Sequence, residues 1–264
     1  MYFVFWLVCF VASLIGAICG IGGGVIIKPV LDAVGILNIE KISFLSGCTV
    51  LAMTSYSVIK SKISHSGNEG WNKEIGVPLV IGAVTGGMLG KVIFQFFLRV
   101  SSSVNQVGML QAGALLLITI ATLLYTLKKA DIKSIRVRKY YKIIMIGSGL
   151  GMLSAFLGIG GGPINLVVLF YFFSMGTKTA IEYSLYIIFF SQMASLLQSI
   201  VTKTIPEVKI EVLLLMVIGG ILGGVLGRYV NKKIKEKVVE RLFMGSMVMI
   251  ILINIYNIYQ FIQT

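Results

Sequence analysis

The sequence predicts an all-α polytopic membrane protein of two homologous halves, arranged as inverted repeats, each with a broken helix at GIGGG and about 8 to 10 membrane segments in total. Three observations predict it. Apolar runs recur along the whole chain. The stretch GIGGG occurs twice, each time inside such a run. The basic residues divide unevenly between the two sides that an inverted arrangement defines.

The runs come first. Of 264 residues, 57% are hydrophobic and 12% are charged. A water-soluble chain of this length needs a largely polar outside and could not hide so much apolar surface. Runs lie near 2–37, 42–59, 75–98, 104–127, 143–175, 179–201, 211–231 and 242–262. Most reach the ~20 residues that cross a bilayer. The first run has neither a basic leading segment nor a small-residue cleavage site, so it reads as a membrane helix and not as a cleaved signal. A multi-pass protein of the cell membrane is expected, with the lipid bilayer as its first partner.

The halves follow from a repeat. GIGGG at 20–24 recurs at 158–162, and GAVTGGMLGK (Gly82–Lys91) is echoed by GGILGGVLGR (Gly219–Arg228), offsets of 138 and 137 residues. Two landmarks in one order at one spacing indicate duplication. The longest charged linker, KKADIKSIRVRKYYK, separates a first transmembrane repeat (1–127) from a second (143–264) across residues 128–142. The spacing Gly82-Gly86-Gly90 and Gly219-Gly223-Gly227 gives each half a stripe of small residues suited to close helix packing.

Charge distinguishes parallel from inverted halves. Lys28, Lys91 and Arg228 lie within or at the ends of apolar runs, which leaves 20 bases in the loops. If each half crosses four times, these divide twelve to eight. If each GIGGG run is instead a pair of arms, going in and coming back, one side holds Lys60, Lys62, Lys73, the seven bases of 128–142, Lys178, Lys232, Lys233, Lys235, Lys237 and Arg241. The other side holds only Lys41, Arg99, Lys203 and Lys209, a sixteen-to-four split. Cytoplasmic loops carry the excess of Lys and Arg. The inverted reading therefore puts the 128–142 linker in the cytoplasm and both chain ends outside.

The arms after GIGGG, Val25–Leu37 and Pro163–Met175, have 13 residues each. That is about 20 Å of helix at ~1.5 Å per residue, too short for a ~30 Å hydrocarbon core. Each GIGGG therefore falls within membrane depth, where broken backbone survives only if protein buries it or a wet cavity receives it. In transporters with inverted repeats, such breaks meet at the binding site. Glycines at 22, 23 and 24 and at 160, 161 and 162 would let backbone N–H groups approach a ligand, and the helix N-termini that follow favour an anion. Alternatively, they only permit a turn or close packing.

Candidate ligand-binding residues are then Gly22, Gly23, Gly24, Gly160, Gly161 and Gly162, joined by Asn165 and Lys28 on the arms. Hydroxyls of Ser46, Thr49, Ser184 and Ser191 would line the pathway or bond between helices. Lys28 and Asp32 stand four apart on one helical face and can pair; Asp32 is the candidate for coupling to a proton or sodium ion. Glu182 reads as interfacial, and the aromatics read as facing lipid and the interfaces.

Other classes lack parts. The net charge of +13 would suit nucleic acid, but the bases sit in loops between apolar runs, so no nucleic-acid partner is expected. Cys9, Cys19 and Cys48 have no CxxC spacing, and the single histidine, His65, lies in a polar loop. No metal site, cofactor or catalytic residue is expected, and no enzyme. A transporter or channel for another small solute, such as a metal cation at Asp32 or another organic anion, is the alternative. Self-association into a homo-oligomer is compatible with the sequence.

With GIGGG followed by an apolar arm bearing Pro29, its second copy written GIGGGPIN, and a glycine-rich third segment in each half, essentially the whole chain resembles the sulfite exporter TauE/SafE family of membrane transporters. The resemblance implies movement of sulfur-containing oxyanions: sulfite, thiosulfate or organosulfonates. Charge at Lys28 and Asp32 departs from the mainly apolar arm associated with that family.

The sixteen-to-four split makes a topological prediction. In a background lacking Cys9, Cys19 and Cys48, single cysteines at Lys133 and at Lys235 are labelled from the same, cytoplasmic side by an impermeant thiol reagent. Labelling from opposite sides restores the parallel arrangement.

Overall fold

The computed structural model describes residues 2–64, 71–101, 103–129 and 131–263, so His65 lies outside the described residues. Regular structure within them is entirely helical. The first half supplies α1 (Tyr2–Cys19), α2 (Gly24–Val34), α3 (Ile39–Ser64), α4 (Lys73–Val100) and α5 (Val104–Leu127). The second supplies α6 (Tyr140–Phe156), α7 (Pro163–Phe173), α8 (Thr177–Val201), α9 (Ile210–Lys233) and α10 (Glu236–Gln263). Seven of these, α1, α3, α4, α5, α8, α9 and α10, are long and apolar enough to cross a membrane. The chain is a multi-pass membrane protein.

Each GIGGG stretch separates two helices. The arms that follow are 11 residues each, two shorter than the sequence suggests. Both stop at a residue in the left-handed region, Gly35 at φ 66° and Ser174 at φ 52°. Their N–H groups turn back onto the last helical carbonyls, Leu31 and Asp32 for Gly35 and Phe170 for Ser174. Pro163 opens α7, where its missing N–H has no partner to lose.

Glycine stripes set the packing. A Cβ placed at Gly82, Gly86 or Gly90 of α4 would lie 2.2, 2.0 or 2.3 Å from the carbonyl oxygens of Ile144, Ser148 or Met152 on α6. At Gly219, Gly223 or Gly227 of α9 it would lie 2.8, 2.2 or 2.5 Å from those of Trp6, Phe10 or Leu14 on α1. The residues on both helices rise together, so α4 runs parallel to α6 and α9 parallel to α1. The partner residues in the two interfaces are related by the 138-residue offset, with the halves exchanged.

The remaining contacts complete the directions. Gly220 and Gly224 of α9 meet Thr49 and Met53 of α3, and Arg228 Nη1 donates to the Ser57 carbonyl at 2.7 Å, so α3 is parallel to α9. Gly87 faces Ser191, and Gln95 bonds to Thr204 just beyond α8, so α4 and α8 are parallel. Gly47 meets Gln192 while Ser61 meets Tyr186, so α3 and α8 are antiparallel. Gly108 meets Phe261 and Thr122 meets Met247, so α5 and α10 are antiparallel. Helices α1, α3, α4 and α5 each run opposite to their counterparts α6, α8, α9 and α10.

The linker is tied down. Backbone N–H groups of Ile135 and Val137 donate to the carbonyls of Tyr171 and Phe172 at the end of α7. Lys129 lies 3.7 Å from the centre of the Phe170 ring and 3.1 Å from Glu240 of α10, which also accepts from Thr177. Large side chains such as Phe96, Leu117, Met145 and Ile262 face outward, as suits a chain whose solvent is lipid. Several aromatics depart from that expectation: Phe5, Phe94, Phe170, Phe173 and Phe243 are buried. Trp71 lies over Gly76, stacks on the buried ring of Tyr183 and sits tilted against that of Tyr186, with centroids 4.7 and 4.3 Å away.

Because the glycine contacts are to backbone, a neighbour cannot swing away, and added methyls must push helices apart. Gly86→Ala and Gly223→Ala are each expected to cost about 1–3 kcal/mol, roughly 3–10 °C in melting temperature, in detergent. Gly149→Ala, where a Cβ meets nothing within 4 Å, should change little.

Candidate functional site

The two glycine turns lie against each other. A Cβ at Gly24 would sit 2.1 Å from the Ile159 carbonyl oxygen, one at Gly22 3.3 Å from that of Gly160, and one at Gly161 3.3 Å from that of Ile21. Both turns open the same way, with φ of 70° and 74° at Gly20 and Gly22 and of 65° and 67° at Gly158 and Gly160. Side chains strongly disfavour this region, which explains glycine at these positions. The walls correspond as well. Gly20 abuts Ile181 where Gly158 abuts Ser43, and Gly22 abuts Ile188 where Gly160 abuts Val50. Each wall residue is 138 positions from its counterpart.

Much of this backbone has no partner. In the first turn Ile21 N–H bonds to the Gly16 carbonyl, and those of Ile26 and Ile27 bond to that of Gly23. Among the described residues, the N–H groups of Gly22, Gly23, Gly24 and Val25 donate to nothing. In the second turn Asn165 N–H bonds to the Gly162 carbonyl, while Gly160, Gly161, Gly162 and Ile164 donate to nothing. Such donors at two helix starts are suited to an anion.

Side chains add to them. Ser184 Oγ donates to the Gly20 carbonyl at 2.6 Å and lies 3.4 Å from Asn165 Nδ2. Asn165 Oδ1 and the hydroxyls of Ser13, Ser43 and Ser46 are buried without a partner. A Cβ at Gly23 would lie 2.7 Å from Ser13 Oγ, one at Gly24 2.8 Å from Ser46 Oγ, and one at Gly158 2.6 Å from Ser43 Oγ. Ser46 and Ser184 are themselves 138 residues apart and take the same place in the two halves. Burying a hydroxyl without a hydrogen bond is costly, and the cost is recovered when a ligand accepts one.

The other expected residues are engaged elsewhere. Thr49 donates back to the Leu45 carbonyl and packs its methyl on Gly220. Ser191 bonds to the Ile188 carbonyl, and its own carbonyl lies against Gly87. Lys28 Nζ donates to Asp32 Oδ2 at 2.7 Å, with both side chains at least 96% buried. Asp32 Oδ1 has no partner. Sequence reasoning missed Ser13 and Ser43. Both lie in apolar helices with no motif of their own, and only the 138-residue correspondence to Gly151 and Ile181 marks them as differing from their counterparts.

Over residues 5–254 the chain matches the family described as Sulfite exporter TauE/SafE. The chain belongs to this family. That makes it a member of a membrane transporter family associated with sulfur anions. No curated protein matches the chain, and no solved structure does.

The buried pair carries its own prediction. Lys28→Met leaves Asp32 charged and uncompensated, and should destabilise the protein by about 3–5 kcal/mol. The double change Lys28→Met with Asp32→Leu should recover most of that loss in thermal unfolding. If the single change leaves stability intact, Lys28 is not held by Asp32.

Proposed function

We propose that the protein is a secondary transporter that moves a small sulfur-containing oxyanion (sulfite, thiosulfate or an organosulfonate) across the cell membrane by alternating access. One observation carries this reading: two glycine turns from opposite-running halves meet, with unpartnered N–H groups and hydroxyls at the junction. A sulfur oxyanion offers several acceptor oxygens and needs donors from more than one direction. Gly22–Gly24 and Ser13 would serve it from one half, Gly160–Gly162 and the second N–H of Asn165 Nδ2 from the other, with Ser46 beside them and Ser184 holding Asn165 and the Gly20 carbonyl in place. The donors are neutral, so the site would bind charge through dipoles and hydrogen bonds, with the Lys28 charge already balanced by Asp32.

The turns now touch, with no room for even one methyl group between Gly24 and Ile159. Binding therefore requires the halves to part, and parting them from one side and then the other is alternating access. We read the halves as an inverted duplication, which supplies two equivalent ways to open. The sixteen-to-four charge split supports a cytoplasmic linker and external chain ends. Asp32 also lines a pocket of about 460 Å³ that includes Asn38, Asn105 and Gln260, which would give a coupling proton or sodium ion a route to its carboxylate.

Flux of labelled sulfite in proteoliposomes tests the proposal. Wild-type protein should carry sulfite well above empty liposomes, and a pH or sodium gradient should change the rate. Asn165→Ala and Ser46→Ala should each lower flux about tenfold or more, as expected for a lost hydrogen bond to a charged ligand at ~1.5–3 kcal/mol. Sulfite should also raise the melting temperature of the wild type more than that of either variant. Equal flux and equal stabilisation in wild type and variants would place the substrate elsewhere.

A further inference from the structure

A groove of about 620 Å³ opens on the outer surface where α1, α3 and α9 run parallel. Its lining changes character along its length. Trp6 and Phe10 of α1 and Leu222 and Leu226 of α9 line one end, while Lys60 of α3 with Arg228 and Lys232 of α9 line the other. The contacts Gly219–Trp6, Gly223–Phe10 and Arg228–Ser57 fix the relative levels. No carboxylate lines the groove among the described residues.

The length is informative. From Leu222 to Lys232 the helix advances about 15 Å, half of a ~30 Å hydrocarbon core. The groove is thus apolar over a length comparable to one leaflet and cationic at one end. Both lysines belong to the sixteen bases of the base-rich side.

The other half provides an internal comparison. At the corresponding positions, Gln198 replaces Lys60 and Gln95 replaces Lys232, while Lys91 matches Arg228. Helices α4, α6 and α8 pack there as α9, α1 and α3 do here, through the same glycine contacts. Gln95 is bonded to Thr204. The fold does not require cations at these places, since its own second copy does without two of the three. A bulk excess of loop bases does not explain Arg228 either, because it is 91% buried, bonded to the Ser57 carbonyl, with Nε unpartnered.

We propose that this groove is a binding site for one anionic phospholipid, an acyl chain lying along Trp6, Phe10, Leu222 and Leu226 and the phosphate held by the exposed Lys60 and Lys232, with the buried Arg228 charge behind them. Basic pockets between membrane helices on the cytoplasmic side hold anionic head groups in this manner. Long lysine side chains suit the site, because their stems lie on apolar surface while the charge reaches the head-group level. The site is independent of the transported substrate, and its occupancy would brace α9 against α1 and α3.

The test uses the full chain, purified in mild detergent and examined by native mass spectrometry and thermal unfolding. Phosphatidylglycerol is the probe and phosphatidylcholine its neutral comparison. Phosphatidylglycerol should remain bound at one copy per chain and raise the melting temperature; phosphatidylcholine should do neither. The double variant Lys60→Gln with Lys232→Gln copies the other half and changes two exposed side chains. It should bind phosphatidylglycerol about thirtyfold more weakly, the loss expected for two cations near an anionic lipid surface. Lys133→Gln with Lys142→Gln, which removes the same charge from the linker, should bind as the wild type does. Equal retention of both lipids would overturn the proposal. So would unchanged binding in the Lys60 and Lys232 variant, an equal loss in the linker variant, or a lipid-independent dimer that covers the groove.

Discussion

A hydrocarbon layer offers no hydrogen bonds, so backbone that leaves a helix at membrane depth has to be covered by other protein. This chain breaks at two glycine turns, after Cys19 and after Phe156, and each break is covered largely by the other. The Ile159 carbonyl closes on Gly24, and the Ile21 carbonyl lies near Gly161. Helices α3 and α8, which cross beside the turns in opposite directions, supply the rest of the cover through Ser43, Ser46, Val50, Ile181, Ser184 and Ile188. The requirement is mutual, and it explains why two short arms of 11 residues are stable where neither could span.

The same requirement shapes the outer contacts. Helices α1 and α6 each break off at a glycine turn, so each must be held along its length. Glycine stripes on α9 and α4 do this, bringing backbone against backbone at Gly223 and Gly86. In lipid no hydrophobic force drives helices together, so close contact and the dispersion energy it brings are the main source of cohesion. Charge is then placed where the fold tolerates it. Lys28 and Asp32 neutralise each other, and Arg228 rests on a carbonyl.

The architecture was largely legible in the sequence, and the site less so. About 8 to 10 segments, two breaks and the roles of Gly82-Gly86-Gly90 and Gly219-Gly223-Gly227 could be read from runs and spacing, since membrane thickness and small-residue periodicity leave few alternatives; the described residues form ten helices. The 11-residue arms were read as 13, because Ser174 closes a helix in a conformation that serine rarely takes. Trp71 was read as facing lipid, but Gly76 makes a flat seat for it beside Tyr183. Among site candidates, Asn165, Ser46 and Ser184 do lie together with the glycines. Thr49 and Ser191 look equivalent to them in sequence, yet helix packing occupies both, and composition carries no sign of that. Ser13 and Ser43 were invisible for the opposite reason, as lone hydroxyls in apolar helices gain significance only from what faces them.

The third glycine of the motif holds a different backbone shape in each half. Gly161 has φ 138°, open only to glycine, whereas Gly23 has φ −63°, which any residue adopts. The two GIGGG turns, alike at their first two glycines, therefore part in shape at the third. In the proposed alternating-access cycle, halves that trade roles would carry Gly23 into the first shape and Gly161 into the second. Position 23 would then be a hinge kept free of a side chain on two counts, by Ser13 Oγ, 2.7 Å from where a Cβ would lie in the present shape, and by the positive φ of the other.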